Sequence, residues 1–210
     1  MRFRTLILLV AATTLPLTFI STVGSGAASA KTKAAGTKTK KTTFTLSCDT
    51  GIANGDVKVT TKQTYPKSVA AGATFTIKWS SVTTVEGALA SAAYAIAPKG
   101  SEKGTVTTDD DLSTDGTPST ENVAGSGIPE EGTISSPNSF PIYTPPKGSS
   151  PDYFTTPSFT AGSKGTDKIS AGDDDANVTI YNSSGSEVTT TTADCTPVGT
   201  PKVIATIKVT

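Results

Sequence analysis

The feature that most constrains the fold of this chain is an alternation of apolar with hydroxyl or charged residues, with a period of two. In residues 44–48, phenylalanine, leucine and cysteine alternate with threonine and serine. Because successive side chains of a strand point to opposite faces, this pattern is typical of a half-buried β-strand. The alternation returns at residues 57–62, 73–79, 176–181 and 202–210. It predicts an all-β chain and places the sole tryptophan, Trp79, in the core.

Threonine and serine dominate the composition, whereas histidine is absent. The 210 residues include 40 threonines and 23 serines, and threonine suits the outward positions of strands because its branched side chain fits the pleated surface. The absence of histidine removes the commonest metal ligand and the usual carrier of protons at neutral pH. It therefore argues against Ser-His-Asp, Cys-His and histidine–zinc sites. Two cysteines are too few for a thiolate zinc cluster or a dense disulfide scaffold.

Residues 1–30 are predicted to be a secretory signal peptide. Arg2 and Arg4 precede an apolar segment, and residues 28–30 have the small-residue pattern of a cleavage site. Cleavage before Lys31 leaves 16 lysines, no arginine and 18 acidic residues, a net charge of −2. Such a chain is not expected to bind nucleic acid, which favours arginine and a basic surplus. We expect a secreted product with no membrane span, either free or loosely associated with the cell wall.

The mature chain is predicted to form one domain over residues 42–210, after a basic, flexible lead-in at residues 31–41. Residues 88–97 are rich in alanine and form the one segment expected to be helical. Residues 99–151 are rich in glycine, proline and acidic residues, and we expect an irregular insert with a few short strands. Many short strands joined by glycine and proline turns favour an antiparallel β-sandwich with long loops.

The two cysteines are predicted to form one long-range disulfide bond. Exported chains with an even number of cysteines usually oxidise them in pairs. Cys48 ends the first strand, and Cys195 precedes the last. The alternative is a redox-active pair, but such cysteines usually sit close together as C-x-x-C with a perturbed thiol pKa. A disulfide of this span contributes roughly 5 kcal/mol in the chain-entropy account of crosslinks.

Two acidic segments are candidates for calcium sites. The first imitates the opening of a calcium-binding loop, with oxygen ligands at every second position before a glycine, but it lacks the glutamate that closes such a loop. Aspartate is also common in turns, where its charge keeps strand edges soluble. Both interpretations stay open at this point. The candidate ligands are Asp109, Asp111 and Asp115 in the first segment and Asp173 and Asp175 in the second.

The same acidic residues raise the alternative of a carboxylate-dependent secreted hydrolase. Glycoside hydrolysis of that kind needs one buried acid with a raised pKa and a second acid at a defined distance. Most acids of this chain lie in polar, turn-like segments, and isolated ones such as Glu86 and the Glu130–Glu131 pair have no partner that the sequence identifies. No catalytic residue is predicted, and the chain is expected not to be an enzyme.

Three aromatic residues in the proline-rich middle of the chain are candidates for a binding surface. Tyr143, Tyr153 and Phe154 could stack against a sugar or a partner protein, since aromatic rings supply large apolar surfaces. They could equally pack beneath a long loop at the end of the domain. The sequence favours neither arrangement.

Motifs at the two ends of the domain point to a group of known domains. At the start, the alternating strand Phe44–Cys48 is followed by a Pro-x-x-Val-x-x-Gly turn, Pro66–Gly72. At the end, Cys195 and a proline spacer lead to an Ile-x-Val strand. These motifs resemble secreted actinobacterial immunoglobulin-like β-sandwich domains of unassigned function. The resemblance implies a Gram-positive, high-GC host, an immunoglobulin-like sandwich and a Cys48–Cys195 bond, and it implies no activity.

We therefore expect a secreted, non-enzymatic β-sandwich that acts as a binding or structural module at or near the bacterial cell envelope. Its expected partners are a cell-wall polymer, a glycan or another envelope protein, and no cofactor is expected apart from the calcium of the acidic segments. The alternatives are the carboxylate-dependent hydrolase and a calcium-dependent adhesin-like domain.

Overall fold

The computed structural model describes residues 36–114 and 117–210, without the side chains of residues 110, 111, 114 and 117–124. The predicted signal peptide therefore lies outside the described residues. The described chain consists mainly of strands, together with a single short helix. The elements are β1 (Thr37–Asp49), β2 (Asn54–Pro66), β3 (Ser68–Val69), β4 (Thr74–Phe75), β5 (Lys78–Glu86), α1 (Gly87–Ile96), β6 (Ser101–Thr114), β7 (Thr117–Thr133), β8 (Ser139–Thr144), β9 (Phe154–Thr155), β10 (Phe159–Thr160), β11 (Gly165–Tyr181), β12 (Glu187–Pro197) and β13 (Val203–Val209).

The main sheet closes on itself. In the described chain eight strands follow the order β12-β1-β2-β5-β8-β7-β6-β11, and β11 pairs with β12 to complete the ring. All of these pairs are antiparallel. We call this eight-stranded barrel the closed sheet. The all-β prediction is confirmed, whereas an immunoglobulin-like sandwich of two separate sheets is not.

Strand β11 joins the closed sheet to the C-terminal strand. Its second half pairs with β12, from Asp174 opposite Cys195 to Tyr181 opposite Glu187. Its first half pairs with β13 on the same edge, while β6 pairs with the other edge over both halves. The short strand β3 then adds to β13 in parallel, and β4 pairs with β10 in a separate two-stranded sheet.

The interior contains two apolar clusters with a polar layer between them. Along β2 the side chains of Val57 and Val59 belong to one cluster, and Tyr65 belongs to the other. Thr61 and Gln63 lie between them and are also buried. Buried polar groups are tolerated where they find hydrogen-bond partners, and the side-chain amide of Gln63 donates to the Thr61 hydroxyl. The period-two pattern thus sets the inward face, but that face is not apolar throughout.

Threonine occupies many outward positions, as the composition predicts. Hydroxyl groups of threonines on neighbouring strands meet on the outer surface, for example Thr43 with Thr60 at 3.2 Å and Thr179 with Thr190 at 3.2 Å. Such cross-strand pairs each stabilise a sheet by a few tenths of a kcal/mol up to about 1 kcal/mol.

The predicted flexible lead-in is too long. Strand β1 begins at Thr37, so residues 37–41 are paired with residues 62–66 of β2. The Thr39 and Thr64 hydroxyls hydrogen-bond at 2.9 Å, and the Lys40 ammonium donates to a backbone carbonyl at 2.7 Å. Hydroxyl pairs and a lysine contact hold this segment in the sheet although it lacks large apolar side chains.

The prediction of an irregular insert at residues 99–151 is wrong for most of that segment. It contains β6, β7 and β8, and β6 pairs with β7 along most of its length. Most of β6 and all of β7 did not show the period-two pattern, because several of their inward positions carry glutamate or glycine instead of apolar residues. Residues 134–138 and 145–151 of the predicted insert do lie outside strands.

Helix α1 confirms the helical prediction for residues 88–97, with an offset of one residue. It starts at Gly87, whose φ of 60° is a conformation that favours glycine. Leu89 and Ala90 of this helix pack into the apolar cluster that contains Val57. Trp79, predicted to lie in the core, is only half-buried, with its ring edge-on to Phe154 at 5.9 Å.

The predicted disulfide is confirmed. Cys48 of β1 lies directly opposite Cys195 of β12, with their Cα atoms 4.1 Å apart and a covalent bond between the sulfur atoms. The bond joins residues separated by 147 positions, and both side chains are buried in the apolar cluster. It therefore crosslinks one of the strand pairs that close the sheet.

Replacing both cysteines, Cys48→Ala with Cys195→Ala, should lower the free energy of unfolding by about 2–5 kcal/mol, because the crosslink restricts a long loop of the unfolded chain. Urea unfolding of the variant and of the oxidised protein measures the difference. The reduced wild-type protein serves as the control and should lose a similar amount. A loss below about 1 kcal/mol would contradict a stabilising role.

Candidate functional site

The closed sheet encloses a chamber of about 130 Å³ beside helix α1. Ile52, whose side chain is exposed, lines it together with Ala93 and Ile96 of the helix, so the chamber reaches the surface there. We call it the apolar chamber. The other hydrocarbon side chains of its lining include Leu46, Val57, Val85, Leu89, Phe140 and Ile180.

Three carboxyl groups line the same chamber. Glu130 lies on β7, Glu102 on β6 and Asp174 on β11, and these three strands are neighbours in the sheet. Glu102 and Glu130 are only 3% and 8% exposed, and Asp174 is half-buried. Carboxyl groups are seldom this deeply buried unless they are paired with a positive charge. The burial of this cluster therefore needs an explanation from its surroundings.

The two glutamates are accommodated by two glycines in a reciprocal pattern. Glu102 lies opposite Gly132, and Gly104 lies opposite Glu130, across the antiparallel β6–β7 pair. A Cβ atom at Gly132 would lie 2.9 Å from Glu102 Oε2, and one at Gly104 would lie 3.3 Å from Glu130 Oε1. Each carboxyl group therefore occupies space that a larger residue on the neighbouring strand would fill.

A second, polar chamber of about 50 Å³ adjoins the first. Glu130 and Asp174 line both chambers, as do Thr83 and Val106, so these side chains form the partition between them. The other lining residues of the polar chamber include a group of hydroxyl, amide and indole side chains together with aliphatic ones such as Val59, Ile77 and Ile204. The first group is Thr61, Gln63, Trp79, Ser81, Thr108 and Thr144.

Burial raises the pKa of all three carboxyl groups. The pKa of Glu102 lies well above its usual range because of burial, and the charges of Glu130 and Glu131 raise it further. Burial and the charge of Asp174 raise the pKa of Glu130 to about 7, although a hydrogen bond with Thr144 lowers it in part. Burial likewise raises the pKa of Asp174 to about 6, against a hydrogen bond with Thr108.

The carboxyl groups lack positive partners in the described part of the chain. Neither lining includes a lysine or arginine among the described residues. The nearby Lys103 forms an ion pair with Glu131 at 3.1 Å on the solvent side. Both carboxyl oxygens of Glu102 are buried and have no hydrogen-bond partner among the described residues. An ionised carboxylate in such surroundings is unfavourable unless a cation joins it.

The structure brings the two calcium-candidate segments onto neighbouring strands but does not test calcium binding. Asp109 lies on β6 beside β11, where Asp173 and Asp175 are exposed. Asp115 and the side chain of Asp111 lie outside the described residues. Among the residues that are described, no group of three acidic, histidine or cysteine side chains is arranged to hold a metal ion.

The aromatic candidates lie at two places beside β5 and β8. Lys78 Nζ lies 4.4 Å from the centre of the Tyr153 ring and donates to its hydroxyl at 3.1 Å. Phe154 packs against Trp79. Tyr143 lies on β8, with Lys147 Nζ 5.9 Å from the centre of its ring. All three candidates are half-buried, so a shared binding surface stays a prediction.

Sequence reasoning missed the buried carboxyl cluster. The available signal is a repeated Glu-x-Gly, at residues 102–104 and again at residues 130–132. If two such segments pair antiparallel, each glutamate faces a glycine, and two carboxyl groups come together on one face. Asp174 gives no such signal, because its segment reads as a polar turn. A register shift between Ala171 and Asp174 switches the inward positions of β11 from odd-numbered to even-numbered residues and so places Asp174 inward.

Comparison with known proteins gives little guidance. No protein-family model and no curated protein matches the chain. A solved structure of a Corynebacterium diphtheriae protein thought to be membrane-anchored is similar, with 16% identity and a TM-score of 0.47. The match covers 82% of this chain and 38% of that one. In the described part of this chain, no helix is long and apolar enough to cross a membrane.

The raised pKa values predict that the protein loses stability as the pH rises from about 4.5 to 7. In this range the folded chain holds protons that the unfolded chain releases, so the free energy of unfolding falls with pH. For Glu130, whose pKa rises from 4.5 to about 7, the loss is on the order of 3 kcal/mol. Thermal unfolding between pH 4 and pH 8 measures this slope.

The variant Glu130→Gln should flatten the slope, because its amide stays neutral at every pH. The control is Glu187→Gln, which changes an exposed glutamate on β12, and it should keep the wild-type slope. A stability that is constant or rises across this pH range in the wild-type protein would contradict the raised pKa values.

Proposed function

We propose that this protein is an exported, non-enzymatic binding module that acts at or near the bacterial cell envelope and holds a small ligand inside the closed sheet. The observation that carries the proposal is the apolar chamber, which is enclosed by strands and reaches the surface beside α1. Binding sites for small molecules are typically concave and mostly apolar, with a few placed polar groups. A hydrocarbon lining with three carboxyl groups has this composition.

The architecture supports a ligand of modest size. Eight-stranded closed sheets have an interior that is either filled by side chains or just wide enough for one small ligand. Here the small side chains of Ala92, Ala93 and Ala176 in the lining leave the interior partly open. The chamber is well below the size of typical drug-sized pockets, so the ligand or the group that enters must be small.

The envelope location rests on the predicted signal peptide and on the disulfide. Disulfides persist in oxidising, extracellular surroundings and are rare in the cytosol, so the Cys48–Cys195 bond is compatible with export. The ligand would then come from a cell-wall polymer, a glycan or another envelope component.

We also propose that the closed sheet is a variant of the immunoglobulin-like sandwich of the secreted actinobacterial domains that the terminal motifs resemble. In support, both cysteine motifs lie on the strands that close the sheet. A solved structure of such a domain with a different strand order around its disulfide would contradict this relationship.

A carboxylate-dependent hydrolase is the second candidate function. In its favour, Glu130 and Asp174 line one chamber with pKa values of about 7 and 6, which suit a general acid. The hydrocarbon lining supplies few groups to bind a polar substrate, so binding is the better-supported function. Release of product from a glycoside or ester by the wild-type protein, but not by Glu130→Gln, would favour the hydrolase.

A block at the mouth of the chamber tests the binding function. Ala93→Phe places a large ring at the lining of the chamber, whereas Ala95→Phe places the same ring on the exposed side of the same helix. In native mass spectrometry of protein secreted by a Gram-positive, high-GC host, the wild type and Ala95→Phe should carry a small bound molecule. Ala93→Phe should carry none. Ligand-free masses for all three proteins would contradict the proposal.

Sedimentation with purified cell wall tests the envelope location separately. We expect the wild-type protein to co-sediment with the wall of its host, and equally well with calcium or with a chelator. Binding that requires calcium would favour the adhesin-like alternative, and no binding to any wall fraction would contradict an envelope role.

A further inference from the structure

We propose that the apolar chamber binds an organic cation, an ammonium group on a small hydrophobic body, with the ammonium held by Glu102 and by one or both of Glu130 and Asp174. This inference rests on the proposed binding function and names the chemical class of its ligand. It follows from four properties of the chamber: the sign of its charge, the unpaired carboxyl oxygens, the kind of lining and the volume.

The charge of the chamber has one sign only. Its described lining contains three acidic side chains, from β6, β7 and β11, and no basic one. The remaining elements around the chamber, which are β1, β2, β5, β8, β12 and α1, contribute no ionisable side chain to this lining. An anionic ligand would meet only acidic side chains, and a neutral ligand would leave any ionised carboxylate without a counter-charge.

Glu102 supplies the strongest indication that a donor is missing. The residue is 3% exposed, yet neither carboxyl oxygen finds a hydrogen-bond donor among the described residues. Buried polar atoms in folded proteins almost always have a partner. An ammonium group carries three N–H donors and a positive charge, so it could satisfy Glu102 and one or both of its acidic neighbours.

The lining favours an organic cation over a metal ion. Calcium takes six to eight oxygen ligands, and magnesium demands a regular shell with several waters. In the described residues no three acidic side chains are arranged for a metal ion, and most of the remaining lining is hydrocarbon. A ligand with one charged end and an apolar body matches both kinds of surface.

The volume limits the hydrophobic body to about the size of a benzene ring. The chamber measures about 130 Å³, and an engineered apolar protein cavity of about 150 Å³ binds benzene. Benzylammonium therefore serves as the probe. Benzyl alcohol has a similar size and shape without the charge, and benzoate has the opposite charge.

Isothermal titration calorimetry at pH 8 with these three probes tests the inference. Benzylammonium should bind at least ten times more tightly than benzyl alcohol, and benzoate should not bind. Glu102→Gln and Glu130→Gln should each weaken benzylammonium at least tenfold and leave benzyl alcohol unchanged. The control Glu187→Gln, at an exposed position of β12, should leave both affinities unchanged.

The outcomes separate this inference from the proposed function. Equal binding of benzylammonium and benzyl alcohol in every variant would contradict the proposal of a cationic ligand, but it would leave the proposed binding function intact. Failure of all three probes to bind would overturn both. Calcium chloride that binds and displaces benzylammonium would overturn the organic cation in favour of a metal ion.

If a glutamine variant fails to fold, the affinity of the wild-type protein for benzylammonium is measured at two pH values instead. Benzylammonium should bind at least ten times more tightly at pH 8 than at pH 5, because the carboxyl groups are protonated at the lower pH. The affinity for benzyl alcohol should not change. A pH-independent affinity for benzylammonium would overturn the inference.

Discussion

The structure depends on the closure of the main sheet at β12. This strand pairs with β1 on one edge and with β11 on the other, so strands from the two ends of the domain meet there. The Cys48–Cys195 bond fixes the β1–β12 pair covalently. Without this closure the sheet would have two open edges, and neither the chamber nor the buried carboxyl cluster would be enclosed.

Closure allows the interior to hold groups that an ordinary apolar core would exclude. The reciprocal placement of Glu102 with Gly132 and of Glu130 with Gly104 makes room for two carboxyl groups, but burial in this position raises their pKa. Keeping such groups lowers stability at neutral pH. The crosslink offsets part of this loss, and a bound cation would offset more.

The sequence predicted those elements whose inward face is apolar. The period-two alternation predicted β1, β2 and β13, and the high alanine content of residues 88–97 predicted α1. The disulfide was predicted because an exported chain with two cysteines usually oxidises them to a pair. The sequence did not reveal the full length of β6 or any of β7. Their apolar face, which the period-two pattern detects, is interrupted by Glu102, Gly104, Glu130 and Gly132. The site could not be assembled from the sequence, because it depends on pairings between distant strands, such as β6 with β11.

Nuclear magnetic resonance of ¹³C-labelled carboxyl groups tests the central claim, that the closed sheet buries a cluster of acids, most directly. In a titration from pH 3 to pH 9, the carboxyl signal of Glu130 should change with a midpoint of about 7, and that of Asp174 with a midpoint of about 6. Midpoints near the ordinary values of 4.5 and 3.8 for these two residues would mean that the carboxyl groups face water, and would contradict the account.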